Sequence, residues 1–368
     1  MRVLHLLDTD GFAGTEIHLV ALVKALRQSG VEADIACQRE SRLHRAAQEA
    51  ALPVVPLLTG GRLEQLAAVR KIARKSYDIV HAHNGRTMIL AAAAANSRLA
   101  AVATQHFIAP QSSTYRGLKK RLANQAHRQI NRRFAHFIAI SHGAREAMME
   151  REGVDPSHIT VVPNGTEPMP RLDGAERDDL RRQMGVEDHS LLVVCVARLT
   201  EEKGLRYLIE AMPTVLLSHP ATQVVIAGEG SLRDELERQA SDLGLQSNLR
   251  FLGFRSDATR IMGAADLFVL PSPAEPFGLV LIEAMAQGVA VVATRCGGPV
   301  EIIEDGVSGR LVNPADAPAL ASALVALLRD ANKRKCLGEN ALRRFEQHFT
   351  AQRMAAATLE VYRRAAKS

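Results

Sequence analysis

Short apolar runs alternate with stretches of helical periodicity from one end of the chain to the other. Runs of a few apolar residues bounded by polar, Gly or Pro positions read as strands buried on both faces, and the 3.6-residue pattern between them as helices laid on those strands. In the first half, strands are expected at 3–7, 33–37, 79–82, 101–104, 137–140 and 159–162, with helices such as 15–28 and 63–75 between them. In the second half they are expected at 191–197, 223–227, 250–252, 267–270, 289–293 and 309–312. This alternation is that of an α/β fold built on parallel sheets. Residues 163–174, rich in Pro and Gly, break the rhythm and read as a linker. Two domains follow, 1–165 and 175–345, each opening strand–loop–helix in the Rossmann manner. A chain of 368 residues suits two domains of ordinary size. No fixed-period repeat is visible, which excludes a solenoid.

Composition changes the picture little, and charge changes it more. The chain is 47% apolar and 23% charged, as globular proteins are. Its first residues meet acids too soon for a secretory leader, and no run approaches a membrane span. Cys37, Cys195, Cys296 and Cys336 are scattered without metal or redox spacing, and Cys195 reads as a buried thiol. A cytoplasmic protein is expected, or one peripheral on the inner face of the cell membrane. The net charge of +6 is uneven: residues 1–170 hold 22 Lys/Arg against 14 Asp/Glu, and no acid occurs between Asp78 and Glu146. An anionic partner is therefore expected for the first half. With no Trp and only 4% aromatics, stacking platforms for nucleic acid are poor, and no nucleic-acid partner is expected. An anionic membrane surface, met through the basic region 116–133, or a lipid-linked acceptor fits better; a merely solvated basic face is the plainer alternative.

The densest chemistry lies at 275–283, Glu-Pro-Phe-Gly-Leu-Val-Leu-Ile-Glu, just after an apolar run that ends in a Pro-Ser loop. Pro276 suits a first helical turn, so a helix is expected from Phe277, its free N–H groups attractive to an anion. Glu283 would then lie about two turns inside, roughly 12 Å from Glu275 at helical rise. That is the separation of sugar from ribose in a nucleotide-diphosphate sugar whose diphosphate rests on the helix start. The plainer reading is an N-terminal charge plus a solvent-facing Glu. Together with Glu-Ala-Met-Ala-Gln-Gly-Val-Ala-Val-Val-Ala-Thr (283–294), the segment resembles the donor-site motif of retaining GT-B glycosyltransferases of family 4. The resemblance runs from the Gly11 loop to Ala315, dense in the second half and looser over 1–130. It implies an α/β GT-B fold, two Rossmann-like domains whose parallel sheets face across a cleft. The first would bind the acceptor and the second the nucleotide sugar, with helix 351–368 crossing back to the first.

Other residues fall where such a site needs them. Arg198 and Lys203 follow the strand at 191–197, where parallel sheets bind ligands, and cations there would neutralise a diphosphate and its growing charge as the glycosidic bond breaks. A solvated pairing with Glu201 and Glu202 is the rival reading. They match the family's Arg…Lys-Gly pair, with Ala197 where Gly is commoner. Gly11-Phe12-Ala13-Gly14-Thr15-Glu16 resembles the family's Gly-Gly-x-Glu loop; Ala13 replaces its first glycine, which leaves Gly14 as the point of close approach to the donor. Gly228, Phe254 and Arg255 follow strands, and in relatives these loops border the base; core packing is the rival role for Phe254. His106 resembles the family's strand-end His, a group that contacts the transferred sugar. His81 and His83 lie at another strand end and with His106 could mimic a metal site, yet no carboxylate or Cys completes a set. Ser141-His142 and Asn164-Gly165 match family signatures, with capping or packing as the default.

The resemblance thus implies transfer, with retention, of a hexose-type sugar from a nucleotide-diphosphate sugar, UDP-linked by expectation, to a hydroxyl of a lipid-linked or envelope glycan acceptor. His106, Arg198, Lys203 and Glu275 would carry the reaction. Gly14, Gly228, Phe254, Arg255, Phe277, Gly278, Leu279, Val280 and Glu283 would bind the donor. No metal or other cofactor is expected, because cations and the helix start meet the charge. The rivals are a UDP-sugar 2-epimerase of the same architecture, which would accumulate epimer without acceptor, and a non-catalytic nucleotide-sugar-binding protein.

Overall fold

The computed structural model describes residues 1–9, 14–57, 61–106, 125 and 127–367, with only the backbone at 56, 57 and 62. The chain divides into two compact units, Met1–Glu167 with Thr350–Ser368, and Pro168–Phe349. The boundary thus falls inside the Pro/Gly-rich stretch.

In the first unit, β1 (Arg2–Leu6), β2 (Glu32–Gln38), β3 (Val54–Leu57), β4 (Ile79–Ala82), β5 (Ala100–Gln105), β6 (His136–Ala139) and β7 (Ile159–Val161) form a parallel sheet in the order β3-β2-β1-β4-β5-β6-β7. β3 is not among the expected strands. Its Pro56 has no N–H to give, and that is tolerated because β3 is a sheet edge. The helix Gly14–Gln28 buries Leu19, Leu22 and Leu26 on this sheet. The last helix, Ala351–Ala365, starts at an N-cap in which Thr350 accepts from Arg353 N–H, and buries Met354, Val361 and Tyr362 in the same core.

The second unit repeats the plan with β8 (Leu192–Val196), β9 (Gln223–Ala227), β10 (Leu249–Gly253), β11 (Leu267–Leu270), β12 (Ala290–Thr294) and β13 (Arg310–Val312), ordered β10-β9-β8-β11-β12-β13, all parallel. Strands such as Leu-Phe-Val-Leu are apolar throughout because helices cover both faces. Val193, Cys195, Val224 and Val269 pack with Leu208, Met212 and Leu324 from the flanking helices. Among the described residues no helix is long and apolar enough to cross a membrane.

Candidate functional site

Each sheet grows outward from its first strand, then returns to add its fourth on the opposite side. Loops leaving the two central strands diverge there, opening a crevice at the C-terminal edge of the sheet. In the second unit those strands are β8 and β11. The loop after β8 enters a single 3₁₀ turn, Glu201–Lys203, and the loop after β11 carries Ser272 and Glu275. Across the crevice Lys203 Nζ donates to Glu275 Oε2 at 2.6 Å, and Ser272 Oγ lies 3.4 Å from the same oxygen. Both side chains of the pair are largely buried, 17% and 8% exposed, so the contact is a partly desolvated ion pair rather than a surface one. The Glu275 loop is pinned from β12: Thr294 Oγ1 and Cys296 Sγ both donate to the Ser272 carbonyl, and Gly298 N–H donates to the Glu275 carbonyl.

The helix after this loop begins later than expected. It spans Leu279–Ala286, and its N-cap is Gly278 at φ +103°, a conformation glycine adopts without strain. Pro276 therefore precedes the helix, and Glu283 is its fifth residue, one turn in. The helical spacing of 12 Å between Glu275 and Glu283 no longer applies. Leu279 and Val280 supply the first N–H groups of the helix, which have no acceptor within it. Phe277 is buried edge-on to Phe349, so it offers a ligand only its backbone. Glu283 is half-buried rather than solvent-facing. Among the described residues it has no hydrogen bond or ion pair, and burial pushes its carboxyl up to about 7.

The other residues of the second unit expected at a donor site are placed as follows. Arg198 is exposed and already paired with Glu202 at 3.0 Å, the rival arrangement of the sequence analysis. Gly228 follows β9 and passes so close to the residue after β8 that a Cβ there would lie 1.9 Å from the Ala197 carbonyl oxygen. Phe254 is 62% exposed and so takes no part in the core, which removes the packing role considered for it. Arg255 grips Asp257 through two bonds of 2.7 and 2.6 Å, holding the Asp257 carboxyl below its ordinary value.

In the first unit the central strands are β1 and β4, and here histidines gather. Residues 10–13, three of which belong to the Gly11-to-Glu16 loop, lie outside the described residues; Gly14 is the first residue of its helix. His106 follows β5 and is buried. Its Nε2 lies 3.2 Å from His83 Nδ1, and His83 Nε2 lies 3.0 Å from His5 Nδ1. His81 bonds to Tyr362 Oη at 2.6 Å and to Thr104 Oγ1 at 2.7 Å. His18 stands edge-on to His106, ring centres 4.7 Å apart. Burial drives all five imidazoles below their ordinary value, His5 to about 3 and His18 to about 4, so they are neutral at pH 7. His5, His18 and Tyr362 were not foreseen. The one signal in the sequence was a polar residue within an apolar strand, Leu4-His5-Leu6.

Two His triplets, His5/His81/His83 and His18/His83/His106, bring ring nitrogens within 4.8 Å of one another. That spacing suits a metal, but both nitrogens of His83, common to the two sets, are already joined to other histidines. Ser141 and Gly165 have structural duties: Ser141 Oγ caps the helix His142–Ala147, and Gly165 passes too close to Thr350 for a side chain. The basic region 116–133 lies largely outside the described residues.

Comparison with known proteins gives this geometry a family. A model of Glycosyltransferase Family 4 matches residues 12–168, and one of glycosyl transferases group 1 matches residues 176–344. The chain is 35% identical to an uncharacterized glycosyltransferase of Methanocaldococcus jannaschii over 61% of this chain and 59% of that one, so it spans under two thirds of that relative's length. It is 32% identical to the phosphatidyl-myo-inositol mannosyltransferase of Mycolicibacterium smegmatis over 86% of this chain and 81% of that one. Its fold is similar to that of Anabaena Alr3699/HepE crystallised with UDP, with a TM-score of 0.84 and 26% identity over 98% and 99% of the two chains. The two parallel sheets, the matched family models and these relatives agree that the chain belongs to the group 1 glycosyltransferases of the GT-B fold.

Proposed function

We propose that this protein transfers a hexose from a UDP-linked donor to a hydroxyl of a lipid-linked or envelope glycan acceptor, with retention at the anomeric carbon. The observation that carries the reading is the Lys203–Glu275 pair at the switch point of the second sheet, beside a helix start. A cation and helix-start N–H groups there answer the diphosphate of such a donor, and a carboxylate answers its sugar. Lys203 meets the diphosphate with the N–H groups of Leu279 and Val280, and Arg198 swings from Glu202 to join them. Glu275 accepts from sugar hydroxyls and Glu283 from ribose hydroxyls. Phe254 and Arg255 border the base, beside the backbone of Gly228. His106 donates to a sugar hydroxyl.

In the reaction the bond from the anomeric carbon to the diphosphate oxygen breaks as the acceptor oxygen bonds to that carbon on the same face. The departing diphosphate oxygen takes the acceptor proton. Lys203, Arg198 and the helix start stabilise the charge that develops on UDP, so no metal is required. The relatives' names support donor and acceptor class: a UDP complex for Anabaena HepE, and a phosphatidylinositol acceptor for the mycobacterial enzyme. The uneven charge of residues 1–170 fits an acceptor held at an anionic membrane surface.

The test is a UDP-release assay with a panel of UDP-sugars and lipid-linked acceptors, run with and without EDTA. Glu275→Ala should abolish release while circular dichroism stays unchanged, and chelation should leave the wild type active. Full activity in Glu275→Ala would end this reading.

A further inference from the structure

Three buried histidines of the first unit form a directed chain. His5 Nδ1 lies 3.0 Å from His83 Nε2, and His83 Nδ1 lies 3.2 Å from His106 Nε2. At 0%, 1% and 7% exposure the rings meet almost no water. A neutral imidazole carries one N–H and one lone pair, so two such links can be satisfied together in only two ways. In the first, His5 donates to His83 and His83 donates to His106; His106 then keeps its proton on Nδ1, and His5 Nε2 ends the chain as a bare lone pair. In the second every donor is reversed, and His5 Nε2 must carry a proton.

The far end decides between them. His5 Nε2 is buried and has no hydrogen-bond partner among the described residues. A buried N–H without an acceptor is among the rarest defects of folded proteins, and an unsatisfied acceptor is tolerated more often. The first arrangement is therefore favoured. His81 stays out of the chain because Tyr362 Oη and Thr104 Oγ1 occupy its two nitrogens, and its ring packs 4.1 Å, centre to centre, from that of His83. His18 braces the other end, edge-on to His106. Burial keeps all these rings neutral at pH 7, as the two-way count requires.

We infer that His83, oriented by His5, is a positioning residue that fixes the His106 imidazole with its proton on Nδ1, making His106 a hydrogen-bond donor toward the substrate. The functional half of this inference rests on the proposed contact of His106 with a sugar hydroxyl; the tautomer itself does not.

Two measurements on the full chain test it. Long-range proton–nitrogen correlation spectra of histidine-labelled protein at pH 7.5, with His106 assigned through His106→Gln, should show Nδ1 protonated and Nε2 bare. A proton on Nε2 overturns the inference whatever the protein's activity. In kinetics, His83→Leu removes the donor, while His83→Asn places an amide nitrogen near the old Nδ1. With the imidazole no longer held, His83→Leu should lower kcat by about 10- to 100-fold and leave the donor KM within about twofold, whereas His83→Asn should recover most of the loss. Wild-type kcat in His83→Leu removes the positioning role. Should the Leu variant not fold, the wild-type spectrum and the Asn variant decide. A chain that turns over no nucleotide sugar defeats the proposed function, and the spectrum of the free protein still reads the tautomer.

Discussion

Lys203 and Glu275, 72 residues apart in sequence, close on each other at 2.6 Å across the crevice between β8 and β11. On the proposed reading a donor enters between groups that already satisfy one another, and the pair is a stabilising contact in its absence. Removing one partner strands the other in a poorly hydrated place. Lys203→Met should destabilise the second unit by about 3 kcal/mol, and Lys203→Met combined with Glu275→Gln should recover at least half of that. Urea unfolding of the four proteins of this cycle measures the coupling. Additive effects would mean that the pair is worth little.

Glu283 predicts a pH dependence of opposite sign to the usual acidic group. Burial raises its folded-state value to about 7, above its ordinary 4.5. The folded protein therefore binds this proton more tightly than the unfolded chain. The associated stability is fully present below about pH 4.5 and is lost as pH rises through about 7. Glu283→Gln cannot titrate, so its stability relative to wild type should grow between pH 5 and pH 8. Parallel curves for the two proteins would contradict this.

The buried histidines act the other way. With His5 lowered to about 3 and His18 to about 4, the unfolded chain takes up their protons first. Their stabilisation is present above about pH 6.5 and is lost as pH falls toward those values. His5 alone should account for about 2 kcal/mol of loss between pH 6.5 and 5. His5→Asn, which keeps a side-chain donor and cannot titrate in this range, should lose that much less stability on acidification. Equal losses in variant and wild type would show that His5 is not held neutral.

Gly298 links β12 to the start of the helix at Leu279. A Cβ at this position would lie 2.2 Å from the Phe277 Cα and carbonyl oxygen, neither of which has a flexible end to give way. Gly298→Ala must push Phe277 and Gly278 aside and displace the first N–H groups of the helix. At the usual strain of overpacking, UDP affinity should fall by about tenfold or more, with secondary structure retained. Calorimetric titration with UDP checks it.

Several features were legible because they depend on local pattern. Strands β4, β9 and β11 have their expected bounds, since apolar runs closed by turns set them. The edge strand β3 was hidden by its own proline. The start of the helix at Leu279 was misread because Pro276 favours a first turn, while the decisive residue is Gly278, whose positive φ only the packed loop demands. Pairing across the sheet was illegible for a different reason. Lys203 meets Glu275, and His5 meets His83, because strand order makes β8 neighbour β11 and β1 neighbour β4, and strand order is set by packing of the whole unit. Arg198 reads as a ligand cation and Arg255 as part of a loop bordering the base, but their nearby partners Glu202 and Asp257 engage both side chains in the free protein.

The central claim is tested most directly by a crystal structure of the protein with UDP. The diphosphate should lie within hydrogen-bond reach of Lys203 Nζ and the N–H groups of Leu279 and Val280, with Glu283 at the ribose. A nucleotide bound with its diphosphate away from Lys203 and from that helix start would contradict it.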